Sequence, residues 1–299
     1  MLQIRRPFRF TVGRQTARRG ALAGLLVLFG CAGPAPPIPP LAGTVWQIDS
    51  HTVDPAGNWQ RMGATELLVQ WTAVDGLSYV EGGEMPRAAR LPPWQRIAGE
   101  PWAQDVILGL AGRYDERAAR ADIAGLAAAS VRLAQLPTPL HVVAYYFPVE
   151  IDPSWSEAAS LAPLLADLPR PLWISVYDRA NVGPDRLLQH LLPWLPPDVG
   201  VFFQDGVGTY AREPGVARHY ADVLSAGLGH DRVRIIAEAF RPDLGGRMRS
   251  ATIGELRAQL SSYDGYRVYL FEGPHYLPDT LVAQITASQL VPGGTSPTP

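Results

Sequence analysis

The sequence contains no lysine and only one cysteine, and each of these shortages excludes a class of chemistry. All 26 basic residues in the chain of 299 are arginine, which excludes a Schiff-base mechanism and a lysine-dependent phosphate loop. A single cysteine allows neither an intrachain disulfide nor a multi-cysteine zinc site. The motifs G-x-S-x-G, H-E-x-x-H and G-x-G-x-x-G are also missing.

Positive charge is scarce once the first 30 residues are set aside. Those 30 residues hold six arginines and no acidic residue, so 20 arginines face 28 acidic residues in the remainder, a formal charge of −8. Nucleic-acid binding depends on cations that neutralise phosphates, so we expect no nucleic-acid partner. Hydrophobic residues make up 47% of the chain and charged residues 18%, which indicates a well-buried globular fold.

The N-terminal sequence is typical of an exported protein. The cationic stretch Met1–Arg19 precedes the apolar run Gly20–Gly30, which is shorter than the roughly 20 residues that span a bilayer. Together they predict a signal peptide over residues 1–30. Thr16-Ala17-Arg18-Arg19 also indicates twin-arginine export, so either the Sec or the Tat route remains open.

The only cysteine follows this run in a sequence, Leu28-Phe29-Gly30-Cys31, that resembles a bacterial lipobox. It predicts lipidation at Cys31, with an ordinary cleavage site as the alternative. Residues 31–42 would then form a proline-rich tether. Ala32 is compatible with sorting to the outer membrane, facing the periplasm. Residues 291–299 are expected to form a disordered tail.

Between residues 43 and 290, strand-like and helix-like patterns alternate. The predicted strands are Gly43–Asp49, Thr65–Thr72, Asp105–Tyr114, His141–Ile151, Leu172–Asp178, Val199–Asp205, Arg232–Phe240 and Tyr266–Phe271. The predicted helices are Glu116–Gln135, Ser154–Leu168, Pro184–Leu195, Pro214–Leu228, Thr252–Tyr263 and Pro278–Leu290, with shorter segments at Asn58–Gly63 and Trp94–Gln104. Ser154 with Glu157 and Thr252 with Glu255 have the spacing of capping boxes.

Eight strand-plus-helix units in about 250 residues predict a single-domain (β/α)₈ TIM barrel over residues 43–290. An open doubly wound sheet is the alternative, but it explains eight evenly spaced strands less well. In a barrel the C-terminal ends of all strands lie on one face, where active sites form. The polar and aromatic residues at these ends, which suit a carbohydrate, are Gln47, Gln70, Trp71, Tyr114, Tyr146, Glu150, Gln204, Asp205, Glu238, Phe240, His275 and Tyr276.

Several of these stretches resemble the TIM-barrel family catalogued as domain of unknown function 4434, which is related to glycoside hydrolases. The resemblance covers about residues 43–280 and is carried, in order, by GTVWQ (43–47), ELLVQWT (66–72), Leu108–Leu110 before Tyr114, YYFPVEI (145–151), QDGVG (204–208), Glu238-Ala239-Phe240 and His275-Tyr276. In related retaining glycosidases the acid/base follows strand four and the nucleophile follows strand seven. The resemblance therefore implies Glu150 as acid/base and Glu238 as nucleophile, with no cofactor.

The function expected from these features is hydrolysis of a cell-envelope or extracellular polysaccharide or oligosaccharide by two carboxylates. A non-catalytic glycan-binding lipoprotein on the same scaffold is the main alternative. A metal site formed by Asp205 and Glu238 is a third. Glu238 also has a structural interpretation, an ion pair with Arg241 or Arg113, and Asp205 could simply stabilise the Asp-Gly turn.

Overall fold

Eight parallel strands close into a barrel in the computed structural model, which describes residues 37–290. The predicted signal peptide, Cys31 and the tail after residue 290 lie outside these residues. The barrel strands, numbered along the chain, are β1 (Gly43–Trp46), β2 (Glu66–Val69), β3 (Asp105–Gly109), β4 (Val142–Ile151), β5 (Leu172–Val176), β6 (Val199–Gln204), β7 (Val233–Glu238) and β8 (Val268–Phe271). Each strand pairs with its neighbours in sequence, and β8 pairs with β1. The TIM-barrel prediction is confirmed.

Helices surround the barrel in the order α1 (Trp94–Ile97), α2 (Glu116–Ala121), α3 (Ile123–Leu133), α4 (Leu161–Ala166), α5 (Pro184–Leu191), α6 (Pro214–Leu228), α7 (Ile253–Leu260), α8 (Gly273–Tyr276) and α9 (Asp279–Gln289). Short 3₁₀ turns cover Trp59–Met62, Ala158–Ser160, His230–Arg232 and Ser261–Tyr263. Two small sheets flank the barrel, one formed by Ala73–Val74, Leu77–Ser78 and Ala111–Gly112, the other by Phe240–Pro242 and Met248–Ser250.

The helix predictions fail where a side chain or a proline interrupts the regular pattern. The predicted helix Glu116–Gln135 breaks at Asp122, which leaves helical geometry at ψ 28° and pairs with Arg113. The predicted capping box at Ser154 is wrong, because Ser154 donates from its backbone N–H and hydroxyl to Asp152 instead. Helix α4 starts only at Leu161, since Pro163 has no N–H for the turn before it.

The predicted capping box at Thr252 is confirmed and begins α7. The Glu255 N–H donates to the Thr252 hydroxyl oxygen at 3.3 Å, and Glu255 accepts from the Thr252 N–H at 2.7 Å. Gly229 ends α6 with φ 102°, as the sequence predicts for a C-terminal cap.

Side chains of the barrel strands alternate between the barrel interior and the helix layer, because successive strand residues point to opposite faces. The exception is the register shift at Val142–Ala144 in β4. The interior is filled by Val45, Leu68, Ile107, Ala144, Tyr146, Trp173, Phe202, Ile236 and Tyr269. The opposite faces of the strands pack against the helices in a larger apolar cluster. The barrel is therefore a filled core, and access is limited to its two ends.

The N-terminal end of the barrel is closed by a buried ionic cluster around Glu66. Its carboxylate accepts from Arg234 at 3.5 Å and contacts Arg267 and the Tyr269 hydroxyl. The Arg234 guanidinium lies 4.0 Å from the Trp173 ring centroid. The charges of Glu66 and Arg234 are largely removed from water and are tolerated because they are paired, whereas the Arg267 side chain is about half exposed.

The segment Pro37–Ala42 is attached to the same N-terminal end. Ile38 and Leu41 are buried, and the Leu41 and Ala42 N–H groups donate to the carbonyls of Met62 and Val268. The described end of the predicted tether therefore belongs to the folded unit. Within residues 37–290, no helix has the length and apolar character that crossing a bilayer requires.

Candidate active site

Polar side chains ring the C-terminal mouth of the barrel because the interior alternation continues past the apolar core. Gln47, Gln70, Gln204 and Glu238 each follow an interior residue by two positions: Val45, Leu68, Phe202 and Ile236. They therefore share the interior face of their strands and lie at its C-terminal end. This end of the barrel carries the candidate active site.

Glu150 reaches the mouth through an irregularity in β4. The pairing with β5 skips from Phe147 opposite Ile174 to Glu150 opposite Ser175, so two extra residues form a bulge. Because two residues are inserted, the alternation is kept, and Glu150 stays on the interior face that Tyr146 occupies. Bulges are common beside active sites. Glu150 consequently borders two adjoining cavities, one of about 180 Å³ over the mouth and one of about 920 Å³ beside it.

The surroundings of Glu150 favour its protonated form. Burial, and then the negative charge of Glu116, raise the pKa of Glu150 to about 8. Its Oε2 accepts a hydrogen bond from the Gln204 Nε2 at 2.9 Å, so the proton of the neutral acid belongs on Oε1. Oε1 receives no hydrogen bond from any other residue in the described part of the chain.

Glu116 and Arg120 are site residues that the sequence did not reveal. Both lie on α2 and line the larger cavity with Glu150. Glu116 Oε2 accepts from the Glu150 N–H at 3.3 Å, and Arg120 donates to the Glu150 carbonyl from Nε and Nη2 at 3.3 and 3.0 Å. The only sequence signal was the acidic first turn of a helix just after a barrel strand, which is ordinary at helix N-termini.

Glu238 lies at the same end of the barrel but beneath the β6–α6 loop. Only 5% of the residue is exposed, and its Oε2 accepts from the Thr209 N–H at 2.9 Å. Gly208 permits this closeness, since a Cβ at that position would lie 2.5 Å from the Glu238 Cβ. Burial, and then the charge of Asp205, raise the pKa of Glu238 to about 8.

The proposed structural ion pair of Glu238 is absent among residues 37–290. Arg241 donates to the backbone carbonyls of Glu238 and Phe240, and Arg113 pairs with Asp122. Tyr177 lies near enough to both glutamates to be affected by their charges. Its pKa is raised to about 12, mainly by burial, and the charges of Glu238 and Glu150 both contribute.

Asp205 faces the helix layer rather than the mouth. It is fully buried and accepts hydrogen bonds from the Gln259 amide at 2.5 Å, the Tyr263 hydroxyl at 2.8 Å, and the Glu238 and Val207 N–H groups at 3.1 and 3.2 Å. The sequence predicts that Asp205 binds substrate. In the structure its carboxylate accepts from the Glu238 N–H and holds the backbone of that residue in place. With four donors already bound, its oxygens are poorly placed to hold a metal ion.

The predicted aromatic residues divide into two groups. Trp71, Tyr114 and Tyr146 line the smaller cavity together with Gln47, Gln70 and Gln204. The Trp71 indole donates to the Ile48 carbonyl at 3.1 Å, and Tyr114 is 46% exposed at an edge contact with it. Phe240 and Tyr276 line neither cavity and contact each other, with ring centroids 5.2 Å apart.

His275 is held as a cation between two carboxylates. Asp49 Oδ2 lies 3.4 Å from its Nε2 and Glu272 Oε2 lies 2.5 Å from its Nδ1. Asp49 and then Glu272 raise the pKa of His275 to about 10, so it cannot act as a base at neutral pH. Glu272 also accepts from the Gln47 N–H at 2.9 Å, which joins β1 to β8 at the mouth.

Similar folds occur among solved structures. A protein of Bacteroides thetaiotaomicron VPI-5482 described as a "putative alpha-L-fucosidase" aligns with a TM-score of 0.54 and 14% identity over 92% of this chain and 99% of that chain. The PgaB (BpsB) glycoside hydrolase domain from Bordetella bronchiseptica aligns with a TM-score of 0.45 and 13% identity over 83% of this chain and 97% of that one. No protein-family model and no curated protein matches the chain. The first of these structures is similar in fold to this chain, which is a (β/α)₈ TIM barrel.

Proposed function

We propose that this protein is a retaining glycoside hydrolase that acts on a cell-envelope or extracellular polysaccharide or oligosaccharide. One observation carries the proposal: Glu150 is a carboxylic acid at the barrel mouth, open to two cavities and with its pKa raised to about 8. Glu238 lies at the same end of the barrel, three strands away. Membership of the domain of unknown function 4434 family is part of this proposal.

In this mechanism the two glutamates divide the acid and nucleophile roles. Protonated Glu150 donates from Oε1 to the leaving glycosidic oxygen while ionised Glu238 attacks the anomeric carbon, giving a covalent glycosyl-enzyme. Ionised Glu150 then removes a proton from the water that releases the sugar. The side chains of Gln47, Gln70, Tyr114 and Gln204 surround the smaller cavity and supply donors and acceptors for sugar hydroxyls.

The test is a panel of glycans incubated with the purified protein and with Glu150→Gln and Glu238→Gln variants. We expect turnover by the wild type, a loss of about 10³-fold or more in each variant, and retained glycan binding. Proton NMR of the first product should show the same anomeric configuration as the substrate. Turnover unaffected by Glu238→Gln would exclude Glu238 as the nucleophile.

A non-catalytic glycan-binding protein is the second candidate, and one observation favours it. Thr209 and Gly208 cover Glu238, which is only 5% exposed, as expected if this carboxylate only supports the loop. The same panel separates the two candidates. A binder retains glycan without any turnover by the wild type, and Glu238→Gln lowers its melting temperature while glycan binding is kept.

We also propose that the chain is exported and anchored through a lipid on Cys31, facing the periplasm at the outer membrane. The observation behind this is the lipobox-like sequence that ends at the single cysteine. In a bacterial host, Cys31→Ser should move the protein from the membrane fraction to the soluble fraction. An unchanged distribution, or an unmodified cysteine in the intact mass, would contradict lipidation.

A further inference from the structure

Glu150 lies beyond the last regular pairing on one side of its strand. Pairing between β3 and β4 ends with Gly109 opposite Tyr146, so the backbone groups of Glu150 on that side have no strand partner. Buried backbone donors and acceptors need replacement partners. Helix α2 provides them from residues one turn apart: Glu116 accepts from the Glu150 N–H, and Arg120 donates to the Glu150 carbonyl.

This arrangement places a second carboxylate beside Glu150. Glu116 lines both the smaller and the larger cavity with Glu150, whereas Glu238 lines neither. The Glu150 N–H needs a hydrogen-bond acceptor. An arginine in place of Glu116 could not supply one, whereas the oxygen of a neutral amide could accept the bond as well as a carboxylate does. A carboxylate at this position therefore does more than complete the backbone hydrogen bonds, because it brings a like charge close to the catalytic acid.

We propose that Glu116 is a positioning residue for Glu150. Glu116 holds the bulged strand end against α2 and keeps a second negative group beside Glu150, the proton donor of the glycosidase reaction proposed above. The catalytic role given to Glu150 rests on the proposed function, whereas the contacts between Glu116, Arg120 and Glu150 do not depend on it. Glu116 itself does not touch the reacting atoms; it sets the protonation and placement of the residue that does.

The sign of the effect follows from the groups that face Glu150. The charge of Glu116 raises the pKa of Glu150, second only to burial, while the hydrogen bond from Gln204 and the charges of Arg179 and Arg120 lower it. Burial also raises the pKa of Glu116. Removing the negative charge of Glu116 should therefore make Glu150 a stronger acid. The facing groups are Glu116 and Arg120 on α2, Tyr146 on β4, Tyr177 and Arg179 after β5, and Gln204 on β6.

The test is a titration of Glu150 in the full chain labelled with ¹³C at glutamate carboxyls, with the Glu150 signal identified by its loss in Glu150→Gln. Glu116→Gln keeps an acceptor for the Glu150 N–H but removes the charge, and should lower the titration midpoint by about one pH unit. Glu116→Asp keeps the charge and should retain most of the original midpoint. Glu157→Gln removes an exposed acid from the same cavity and is the matched control, with no shift expected.

An unchanged Glu150 midpoint in folded Glu116→Gln would overturn the proposal, and so would an equal shift in Glu157→Gln. The titration needs no turnover, so it remains decisive if no glycan is hydrolysed and the proposed function fails. Where turnover is found, the alkaline limb of kcat/KM should move to lower pH in Glu116→Gln. If Glu116 had only a structural role, Glu116→Gln and Glu116→Asp would both change the melting temperature, and the alkaline limb of kcat/KM would stay at the same pH.

Discussion

Replacing Asp205 with alanine should destabilise the protein severely, although the residue lies outside the cavities of the mouth. Four donors converge on this carboxylate, two from side chains and two from the backbone. A buried donor left without a partner costs about 1–3 kcal/mol. The four costs are not additive, because side chains relax and water enters part of the space, so we expect a total loss of about 3–6 kcal/mol.

Urea unfolding of the purified protein measures this loss, followed at pH 7 by circular dichroism. For a domain of this size about 1 kcal/mol corresponds to roughly 2–4 °C in melting temperature, so Asp205→Ala should melt at least 6 °C lower. The matched control is Asp231→Ala, at an exposed position, which should change the unfolding free energy by about 0.5 kcal/mol or less. A loss below about 1 kcal/mol for Asp205→Ala would refute the assignment of a structural role.

Three further predictions concern charge. The proposed mechanism requires ionised Glu238 and protonated Glu150, and both have a pKa raised to about 8. It therefore predicts a bell-shaped kcat/KM with a maximum near pH 8, and a maximum below pH 6 would contradict it. The raised pKa of His275 means that its contribution to stability is complete below about pH 6.5 and is lost as the pH rises through about 10. The difference in unfolding free energy between wild type and His275→Gln should therefore shrink between pH 6 and pH 10, and a constant difference would rule this out. Glu66→Gln should cost about 3 kcal/mol by removing the carboxylate partner of the largely buried Arg234, whereas Glu81→Gln at an exposed ion pair should cost less than about 1 kcal/mol.

The barrel could be predicted from the sequence because its signals are local. Each strand is an apolar run of the right length, and several helices begin at a proline or a capping box, as at Pro184, Pro214 and Thr252. The boundary errors arose where tertiary contacts decided the outcome. Ser154 has the right spacing for a cap, but its N–H, which Glu157 would accept from in a capping box, donates to Asp152 two residues earlier.

The residues that line the mouth of the barrel could be predicted only in part, because contacts between separate elements decide some of them. Period-two alternation placed Gln47, Gln70, Gln204 and Glu238 on the interior face, and it placed Asp205 on the opposite one. The sequence predicts a substrate contact for Asp205 because a polar residue at a strand end can point to either face, and composition alone does not distinguish the two. Glu116 was missed because its contact with Glu150 depends on a bulge, and no sequence pattern marks where a strand gains two residues.

The attachment of Pro37–Ala42 at the N-terminal end of the barrel has a consequence for orientation. The six residue-to-residue steps from Cys31 to Pro37 extend at most about 22 Å, so an anchor at Cys31 would stay close to the N-terminal end of the barrel. A lipid at Cys31 would therefore hold the ionic cluster around Glu66 toward the bilayer and point the mouth outward. The glycans within reach would be those that approach from the aqueous side, such as long or free chains, rather than sugars still joined to lipids of the anchoring leaflet.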